Sequence, residues 1–303
     1  MELAQVPGPN WWPGMEGLWG LLGCPYCEAR LQRGEDGGLA CQGCGRQFPV
    51  LGGIPALLRQ EDAARFERFS EEYRQARLRE GLAPLSAKQT QALPHGQPAG
   101  YPPLYWKVRR QTFCAFMSTL AREGPTPACG PAADVGAGTG WLSYRLAELG
   151  YQVVAIEASR DEVFGLGAAQ IHFSPRVPFL PVQGNLERLP LLASTFALIV
   201  FNASLHYARD LEESLLRAAR ALRPGGALFV LDTPIAQRPQ AGTGRGDRHL
   251  GRNELHAALL AAGLRPRWLP VRRGPRWWAH QAKALVKGEP LFSFPMMVAC
   301  KHG

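Results

Sequence analysis

The sequence has few lysines, no long apolar runs and none of the usual marks of a secreted chain. Only five of its 34 basic residues are lysine, so the net charge of +9 rests on arginines scattered from Arg30 to Arg276. That charge is compatible with nucleic-acid binding. Arginines scattered along the chain are equally explained by a general compositional bias over the whole surface, without a binding patch. The longest apolar stretches, such as residues 291–300, are about half the length needed to cross a bilayer. The first residues also lack a basic segment followed by an apolar core, and Trp11 and Trp12 are followed by Pro and Gly. We therefore expect no membrane segment and a cytoplasmic protein.

Cysteine is concentrated at one end of the chain. Four of the seven cysteines form two pairs, Cys24-Pro-Tyr-Cys27 and Cys41-Gln-Gly-Cys44. Each pair can turn two thiolates toward one point, and the two pairs together supply the four sulfurs of a tetrahedral zinc ion. Two disulfides, or two redox-active pairs, are the weaker alternatives. Because four cysteines leave no open coordination position, the predicted zinc is structural rather than catalytic.

Three segments follow one another along the chain. Residues 1–60 are rich in Gly, Pro and Cys and are predicted to form the zinc ribbon. Residues 61–129 carry aromatic and aliphatic side chains at helical spacing, first around Tyr73 and then from Trp106 to Leu120, so we expect a helical linker or lid. From residue 130 to 303, short apolar runs alternate with helical patterns, as in a parallel sheet with crossover helices.

A glycine-rich loop follows the first strand of this third segment. Residues 132–140 read Ala-Ala-Asp-Val-Gly-Ala-Gly-Thr-Gly, so Gly136, Gly138 and Gly140 can bring the backbone close to a ligand. A second apolar strand ends in Glu157, where a carboxylate can accept hydrogen bonds from ribose hydroxyls. Both dinucleotide enzymes and methyltransferases use this arrangement, but an acid directly before the glycines does not suit a pyrophosphate.

The loop with Asp134 in front of it resembles the class I, Rossmann-like S-adenosylmethionine-dependent methyltransferases, specifically their type-11 domain. The resemblance implies an α/β fold, a three-layer α/β/α sandwich with a mostly parallel seven-stranded sheet. It also implies S-adenosylmethionine as methyl donor and S-adenosylhomocysteine as product. The implied cofactor-binding residues are Asp134, Gly136, Gly138, Gly140, Glu157, Asn185, Leu186 and Asn202. Asp134 would hold the amino-acid end, and Asn185, where Asp is more usual, would accept from the adenine amino group.

The resemblance extends to the N-terminal half. The cysteine pairs followed by Arg-Gln-Phe-Pro-Val are similar to the small zinc-ribbon activators of tRNA methyltransferases and to the ribbon of ribosomal RNA guanine methyltransferases. Residues 69–81 resemble bacterial proteins that join such a ribbon to a methyltransferase domain. In related enzymes this helical segment folds over the cofactor, so Tyr73 and Arg77 are expected near the methionine carboxylate. The alternative is that both are ordinary groups on a helix surface.

The methyl acceptor is less well defined. His206 and Tyr207 follow the fourth strand at the rim where acceptors bind in this fold, so we expect His206 to act as a base or to position the acceptor. A structural histidine is the alternative. The sequence Asn202-Ala-Ser-Leu differs from the Asn-Pro-Pro-Tyr motif of enzymes that methylate the amines of adenine or glutamine, which argues against that activity. No cysteine lies between Cys129 and Cys300, so the nucleophile needed for cytosine C5 methylation is absent from its expected place.

Three functions are consistent with these patterns. The first is methyl transfer to a small molecule. The second is base methylation of ribosomal or transfer RNA, gripped by the ribbon and by a C-terminal cluster that consists of Arg272, Arg273, Arg276, Trp277 and Trp278. That cluster is more often a solvated loop with its aromatic residues in a core. The third is a non-catalytic partner that activates another enzyme. Whether the chain is a monomer or a dimer is left open.

Overall fold

The computed structural model describes residues 16–35, 37–172, 179–236, 250–288 and 291–302. Trp11 and Trp12 therefore lie outside the described residues. Within the described ranges no helix combines the length and the apolar character needed to span a membrane.

The N-terminal segment is a small β-rich unit built around the two cysteine pairs. A three-stranded antiparallel sheet and a short hairpin form it, after one turn of helix. Its elements are α1 (Glu16–Trp19), β1 (Leu31–Arg33), β2 (Leu39–Cys41), β3 (Gln47–Phe48), β4 (Val50–Leu51) and β5 (Ile54–Pro55).

Three helices follow, and two of them, α2 and α4, lie where the spacing of aromatic residues predicts helices. They are α2 (Gln60–Arg79), α3 (Ala87–Gln91) and α4 (Tyr105–Glu123). Helix α2 buries none of its side chains completely, whereas α4 buries a full face that includes Phe113 and Phe116. The two helices therefore differ in role: α4 packs against the sheet and α2 lies over its edge.

The remaining chain forms a seven-stranded sheet, which confirms the predicted fold. Its order is β12-β14-β10-β9-β6-β7-β8, and only β14 runs against the others. A separate pair, β11 and β13, lies outside it. The strands are β6 (Ala132–Val135), β7 (Val153–Glu157), β8 (Phe179–Gln183), β9 (Phe196–Asn202), β10 (Leu222–Leu231), β11 (Ile235–Ala236), β12 (Leu264–Leu269), β13 (Phe292–Ser293) and β14 (Met296–Lys301).

Helices cover both faces of this sheet. Helix α4 and α5 (Trp141–Glu148) pack in the core of one face, and α6 (Leu211–Ala221) and α7 (Arg252–Ala261) in the core of the other; α8 (Pro275–Val286) follows β12. The central strands are buried on both faces, which explains their continuous apolar sequence. Helix α6 begins where the Asp210 side chain accepts a hydrogen bond from the Glu213 amide at 2.9 Å.

The ribbon is joined to the sheet along the β8 edge. The Leu57 amide donates to the Gln183 carbonyl at 2.8 Å, and the Gly23 amide donates to the Pro190 carbonyl at 3.0 Å. Leu22 and Leu57, both fully buried, belong to the same hydrophobic cluster as Ile156 of the central sheet. Ribbon and sheet therefore share one core.

The C-terminal region differs from its sequence prediction in one place. Helix α8 begins within a segment whose sequence indicates a solvated loop. Pro275 stands in the first turn of α8, where the amide hydrogen that proline lacks has no partner within the helix.

Candidate functional site

A cavity of about 880 Å³ opens where the parallel strands end. Carboxyl ends of parallel strands meet at one edge of a sheet, which is where open α/β folds bind ligands. Five adjacent strands each place a residue on this cavity, at the carboxyl end of the strand or just beyond it. These residues are Gly136, Glu157, Asn185, Asn202 and Asp232. The site is thus a product of the sheet topology.

The glycine loop lies directly against the cavity. Gly136 and Gly138 border it with φ angles of +76° and +53°, while Gly140, at φ +75°, begins helix α5 behind them. A Cβ at Gly136 would stand 2.2 Å from the Cβ of Ser204, because the loops after β6 and β9 cross there. Only glycine fits this crossing.

Glu157 connects the glycine loop to the next strand. One carboxylate oxygen accepts from the Gly138 amide at 3.1 Å and the other from the Ser159 amide at 3.0 Å. Burial raises the pKa of Glu157, while these two amides oppose that shift. Each oxygen keeps a second lone pair, so the carboxylate can also accept hydrogen bonds from a ligand in the cavity.

Asp134 lies behind the loop and not on the cavity wall. Ser143 Oγ donates to its Oδ2 at 2.7 Å, and Oδ1 is buried with no hydrogen-bond partner in the described part of the chain. Burial raises the pKa of this carboxyl group to about 7. The expected contact with the amino-acid end of a cofactor stays a prediction.

Asn185 and Leu186 border the cavity in the loop after β8. Asn185 Oδ1 accepts from the Glu187 amide at 3.0 Å, and its amide nitrogen donates to Asp62 Oδ2 of α2 at 3.4 Å. The carbonyl expected to meet adenine therefore already has one partner and retains one lone pair.

Helix α2 brings Tyr73 and Arg77 over the cavity, where they meet Tyr207. The rings of Tyr73 and Tyr207 lie edge to face with centroids 5.8 Å apart, and Phe69 is 5.6 Å from Tyr207. Arg77 Nη2 donates to the Tyr207 hydroxyl at 3.0 Å, and Arg77 Nη1 pairs with Glu80 at 2.8 Å. Burial raises the pKa of Tyr73 to about 12, so its hydroxyl is neutral. The residues predicted for the lid and for the rim after β9 thus form one aromatic cluster.

His206 is buried and borders the same cavity. It lies in a single 3-10 turn, Leu205–Tyr207, with its ring centroid 4.1 Å from that of Tyr207. The structure therefore brings together both rim residues predicted from sequence.

Asp232 is a site residue that the sequence analysis missed. It follows β10 with a φ angle of +49°, borders the cavity and is 5% exposed. Thr112 Oγ1 donates to its Oδ1 at 2.6 Å, and Arg273 Nη2 lies 3.9 Å from the same oxygen. The available signal was its position directly after a predicted strand in the parallel sheet.

The C-terminal arginine and tryptophan cluster does not form a single exposed surface. Arg273 is buried, and it donates to the Val108 and Phe294 carbonyls at 2.8 and 2.6 Å. Trp277 is also buried, whereas Trp278 is 62% exposed. The interpretation of Arg273 as part of a nucleic-acid clamp is therefore wrong, because its guanidinium is used inside the fold.

The four ribbon cysteines converge as predicted. Their sulfurs lie within 4.8 Å of one another, with Cys24 and Cys44 at 3.7 Å and Cys27 and Cys41 at 3.4 Å. A tetrahedral zinc ion with Zn–S bonds of about 2.3 Å requires sulfurs a little under 4 Å apart. None of the seven cysteines, all of which lie in the described ranges, forms a disulfide.

Comparison with known proteins places a domain model on the segment that builds the site. Residues 133–230 match a family described as a methyltransferase domain. The malonyl-[acyl-carrier protein] O-methyltransferase of Geobacter sulfurreducens is 31% identical over 176 residues, which are 53% of this chain and 64% of that protein. The ubiquinone biosynthesis O-methyltransferase of Rhizobium etli is 28% identical over 158 residues, 52% of this chain and 54% of that protein. The chain thus spans less than two thirds of each of these relatives.

A solved structure shares the fold. Phosphoethanolamine N-methyltransferase 2 of Haemonchus contortus, in complex with phosphomonomethylethanolamine and S-adenosylhomocysteine, superposes with a TM-score of 0.53 at 12% identity. The match covers 78% of this chain and 60% of that one.

Proposed function

We propose that this chain, which carries a methyltransferase domain over residues 133–230, transfers a methyl group from S-adenosylmethionine to a small-molecule acceptor. The observation that carries the proposal is the joint placement of Gly136, Gly138 and Glu157 on one wall of the cavity. The glycines leave room for a ligand against the backbone, and the carboxylate offers acceptors for a ribose diol. S-adenosylmethionine supplies an activated methyl group on sulfur.

The cavity is large enough for two molecules. Its volume of about 880 Å³ lies toward the upper end of the range of roughly 300–1,000 Å³ that small-molecule sites span. A donor on the Gly136 side and an acceptor beyond Asn202 would share it. The named relatives, whose acceptors are carrier-bound malonate and ubiquinone precursors, favour a small-molecule acceptor over RNA.

The chain's own residues have three tasks in this reaction. Glu157 and the glycine loop bind the donor. Tyr73, Arg77 and Tyr207 close the cavity, exclude water and bring a cation toward the donor carboxylate. His206 positions the acceptor at the rim after β9.

The four-cysteine cluster is proposed to hold one structural zinc ion. Support comes from the sulfur separations and from the shared core, since Cys24 and Cys41 are buried next to it. Thiols kept reduced for metal binding also suit a cytoplasmic location. Metal analysis of the purified chain should give one zinc per chain, and chelation should lower the melting temperature; no bound metal would contradict the assignment.

The methyltransferase proposal is tested by calorimetric titration of S-adenosylhomocysteine into the wild-type chain. Glu157→Ala should weaken binding about 10- to 100-fold, since hydrogen bonds to a charged group contribute about 1.5–3 kcal/mol. Glu212→Gln, an exposed carboxylate on α6, is the matched control and should leave affinity unchanged. Failure of the wild type to bind S-adenosylhomocysteine would overturn the proposal.

A second experiment separates the acceptors. Label from methyl-tritiated S-adenosylmethionine should enter the low-molecular-weight pool of a cell extract and should be lost with Glu157→Ala. Label in RNA, with binding that weakens steeply with salt, would replace the small-molecule proposal by the RNA one. Binding without label in any pool would favour the non-catalytic partner.

A further inference from the structure

The end of the cavity beyond Asn202 is lined mainly by aromatic side chains. Here the ends of β9 and β10 meet helices α4 and α8, and the wall is largely aromatic. We call this region the acceptor subsite; it consists of Trp106, Arg109, Asp232, Trp277 and Phe294. An apolar, flat ligand fits such walls, because aromatic side chains offer large contact areas and stack on rings.

Asp232 is the only carboxylate among these five residues, and its orientation is fixed from behind. Thr112 Oγ1 donates to Oδ1 and accepts from Arg273 Nη2 at 2.9 Å, so two groups hold this oxygen in place. The second oxygen, Oδ2, has no hydrogen-bond partner in the described part of the chain. Asp232 is 5% exposed and borders the cavity, so Oδ2 is placed to accept a hydrogen bond from a ligand there.

We propose that Asp232 binds the methyl acceptor through a donated O–H or N–H group and takes its proton, and that the acceptor is an apolar, ring-bearing molecule. This inference rests on the proposed function and deepens it. An acceptor whose nucleophile is itself a carboxylate is disfavoured, since it would place two negative charges side by side.

The proton transfer balances with the methyl transfer. The acceptor oxygen or nitrogen forms a bond to the methyl carbon while the carbon–sulfur bond breaks and its electron pair stays on sulfur. The acceptor's proton passes to Oδ2 of Asp232 and leaves later to solvent. Burial raises the pKa of Asp232, which makes it a stronger base than an exposed aspartate, while Arg109 and Arg273 keep the ionised form accessible. His280 on α8 is a further titratable side chain that borders the cavity.

The test uses two matched probes, 2-naphthol and 2-naphthoate, with the full chain and methyl-tritiated S-adenosylmethionine. The wild type should methylate 2-naphthol in preference to 2-naphthoate. Asp232→Asn keeps the acceptor of the Thr112 hydrogen bond but cannot take a proton, so kcat on 2-naphthol should fall at least about 100-fold. In the wild type, kcat/KM should rise with pH as Asp232 loses its proton. This rise should be absent in Asp232→Asn, an effect that a merely structural role would not produce. Glu212→Gln is the matched control.

Two binding measurements keep the outcomes distinct. Affinity for S-adenosylhomocysteine should be unchanged in Asp232→Asn, and a folded variant is verified by an unchanged melting temperature. If the wild type binds S-adenosylhomocysteine but methylates 2-naphthoate faster, or neither probe, the acceptor assignment is overturned while the proposed function stands. If Asp232→Asn retains kcat and the pH profile, its role as proton acceptor is overturned. Should Asp232→Asn fail to fold, Thr112→Val replaces it, and an unchanged kcat in that variant would also contradict the proposal.

Discussion

The cavity has two halves that are built from the chain in opposite ways: a proposed donor half with the glycine loop and Glu157, and a proposed acceptor half around Asp232. On the donor side, Gly138 and Glu157 stand 19 residues apart and meet through one strand–loop–helix–strand unit. On the acceptor side, Thr112 and Asp232 are 120 residues apart and Thr112 and Arg273 are 161 apart. The donor half is thus a local motif, whereas the acceptor half exists only because distant elements fold together. Damage to the acceptor half should therefore appear first in stability and acceptor use, and damage to the donor half in donor binding.

The largest effect is expected where the acceptor half is held together. Arg273→Met removes a buried guanidinium that bonds Val108, Thr112 and Phe294, so about 3–5 kcal/mol of folding free energy should be lost. Denaturant unfolding measures this loss. Its neighbour Arg272 is exposed, and Arg272→Met should cost less than about 0.5 kcal/mol. Equal losses in the two variants would show that the long-range contacts do not stabilise this half.

A smaller loss of stability, with complete loss of donor binding, is expected from Gly136→Ala. The new Cβ meets Ser204 at 2.2 Å on a residue with φ +76°, which should cost about 2–5 kcal/mol and displace the loop. Gly225→Ala is the control, because Gly225 has φ +73° with no neighbour within 4 Å. Thermal unfolding and titration of S-adenosylhomocysteine report both effects. Full donor affinity in Gly136→Ala would contradict the close loop crossing.

A pH-dependent effect is expected behind the donor loop. Burial raises the pKa of Asp134 to about 7, above its unfolded value near 3.9, so the folded state holds this proton more tightly. The ionised carboxyl group therefore destabilises the fold above pH 7, and this cost is relieved as pH falls from about 7 toward 4. Asp134→Asn should raise stability by about 1–3 kcal/mol at pH 8 and by little at pH 4.5. A melting-temperature difference between variant and wild type that does not change with pH would oppose this account.

The smallest effect is expected where helix α2 meets the rim after β9. Tyr207→Phe removes the hydroxyl that accepts from Arg77 but keeps the ring contacts with Phe69 and Tyr73. Loss of one hydrogen bond should change affinity for S-adenosylhomocysteine by about 1 kcal/mol, or roughly fivefold. Tyr26→Phe, which loses its bond to Glu61 at the far end of α2, is the control. An equal loss of affinity in both variants would mean that the whole helix, not its contact with Tyr207, governs binding.

What the sequence could predict follows the same division. Periodic apolar runs act over short distances, so a parallel sheet with crossover helices and helices α2 and α4 could be predicted from the sequence. The number of seven strands came from the resemblance to the methyltransferase family. The convergence of the four cysteine sulfurs could likewise be predicted, because the short spacing within each pair turns two thiols toward one point. The approach of Arg77 to Tyr207 could be predicted only from the resemblance, which places the helical segment over the cofactor.

The missed features depend on distant packing. Asp232 stands directly after a predicted strand, but the neighbouring sequence gives no sign of its partners Thr112 and Arg273, which come from α4 and from the segment before α8. Arg273 stands among other arginines and beside tryptophans, so its sequence context indicates a surface patch, while the fold buries it. Helix α8 was missed because Gly274 and Pro275 are typical of a loop as well as of a helix start.

The central claim is that the cavity has a donor half and a separate acceptor half. The most direct test is to titrate S-adenosylhomocysteine into Glu157→Ala and Asp232→Asn side by side with the wild type. We expect at least a tenfold loss of affinity in Glu157→Ala and less than a twofold change in Asp232→Asn, since about 1.4 kcal/mol corresponds to a factor of ten. Similar losses in the two variants would contradict the division of the cavity.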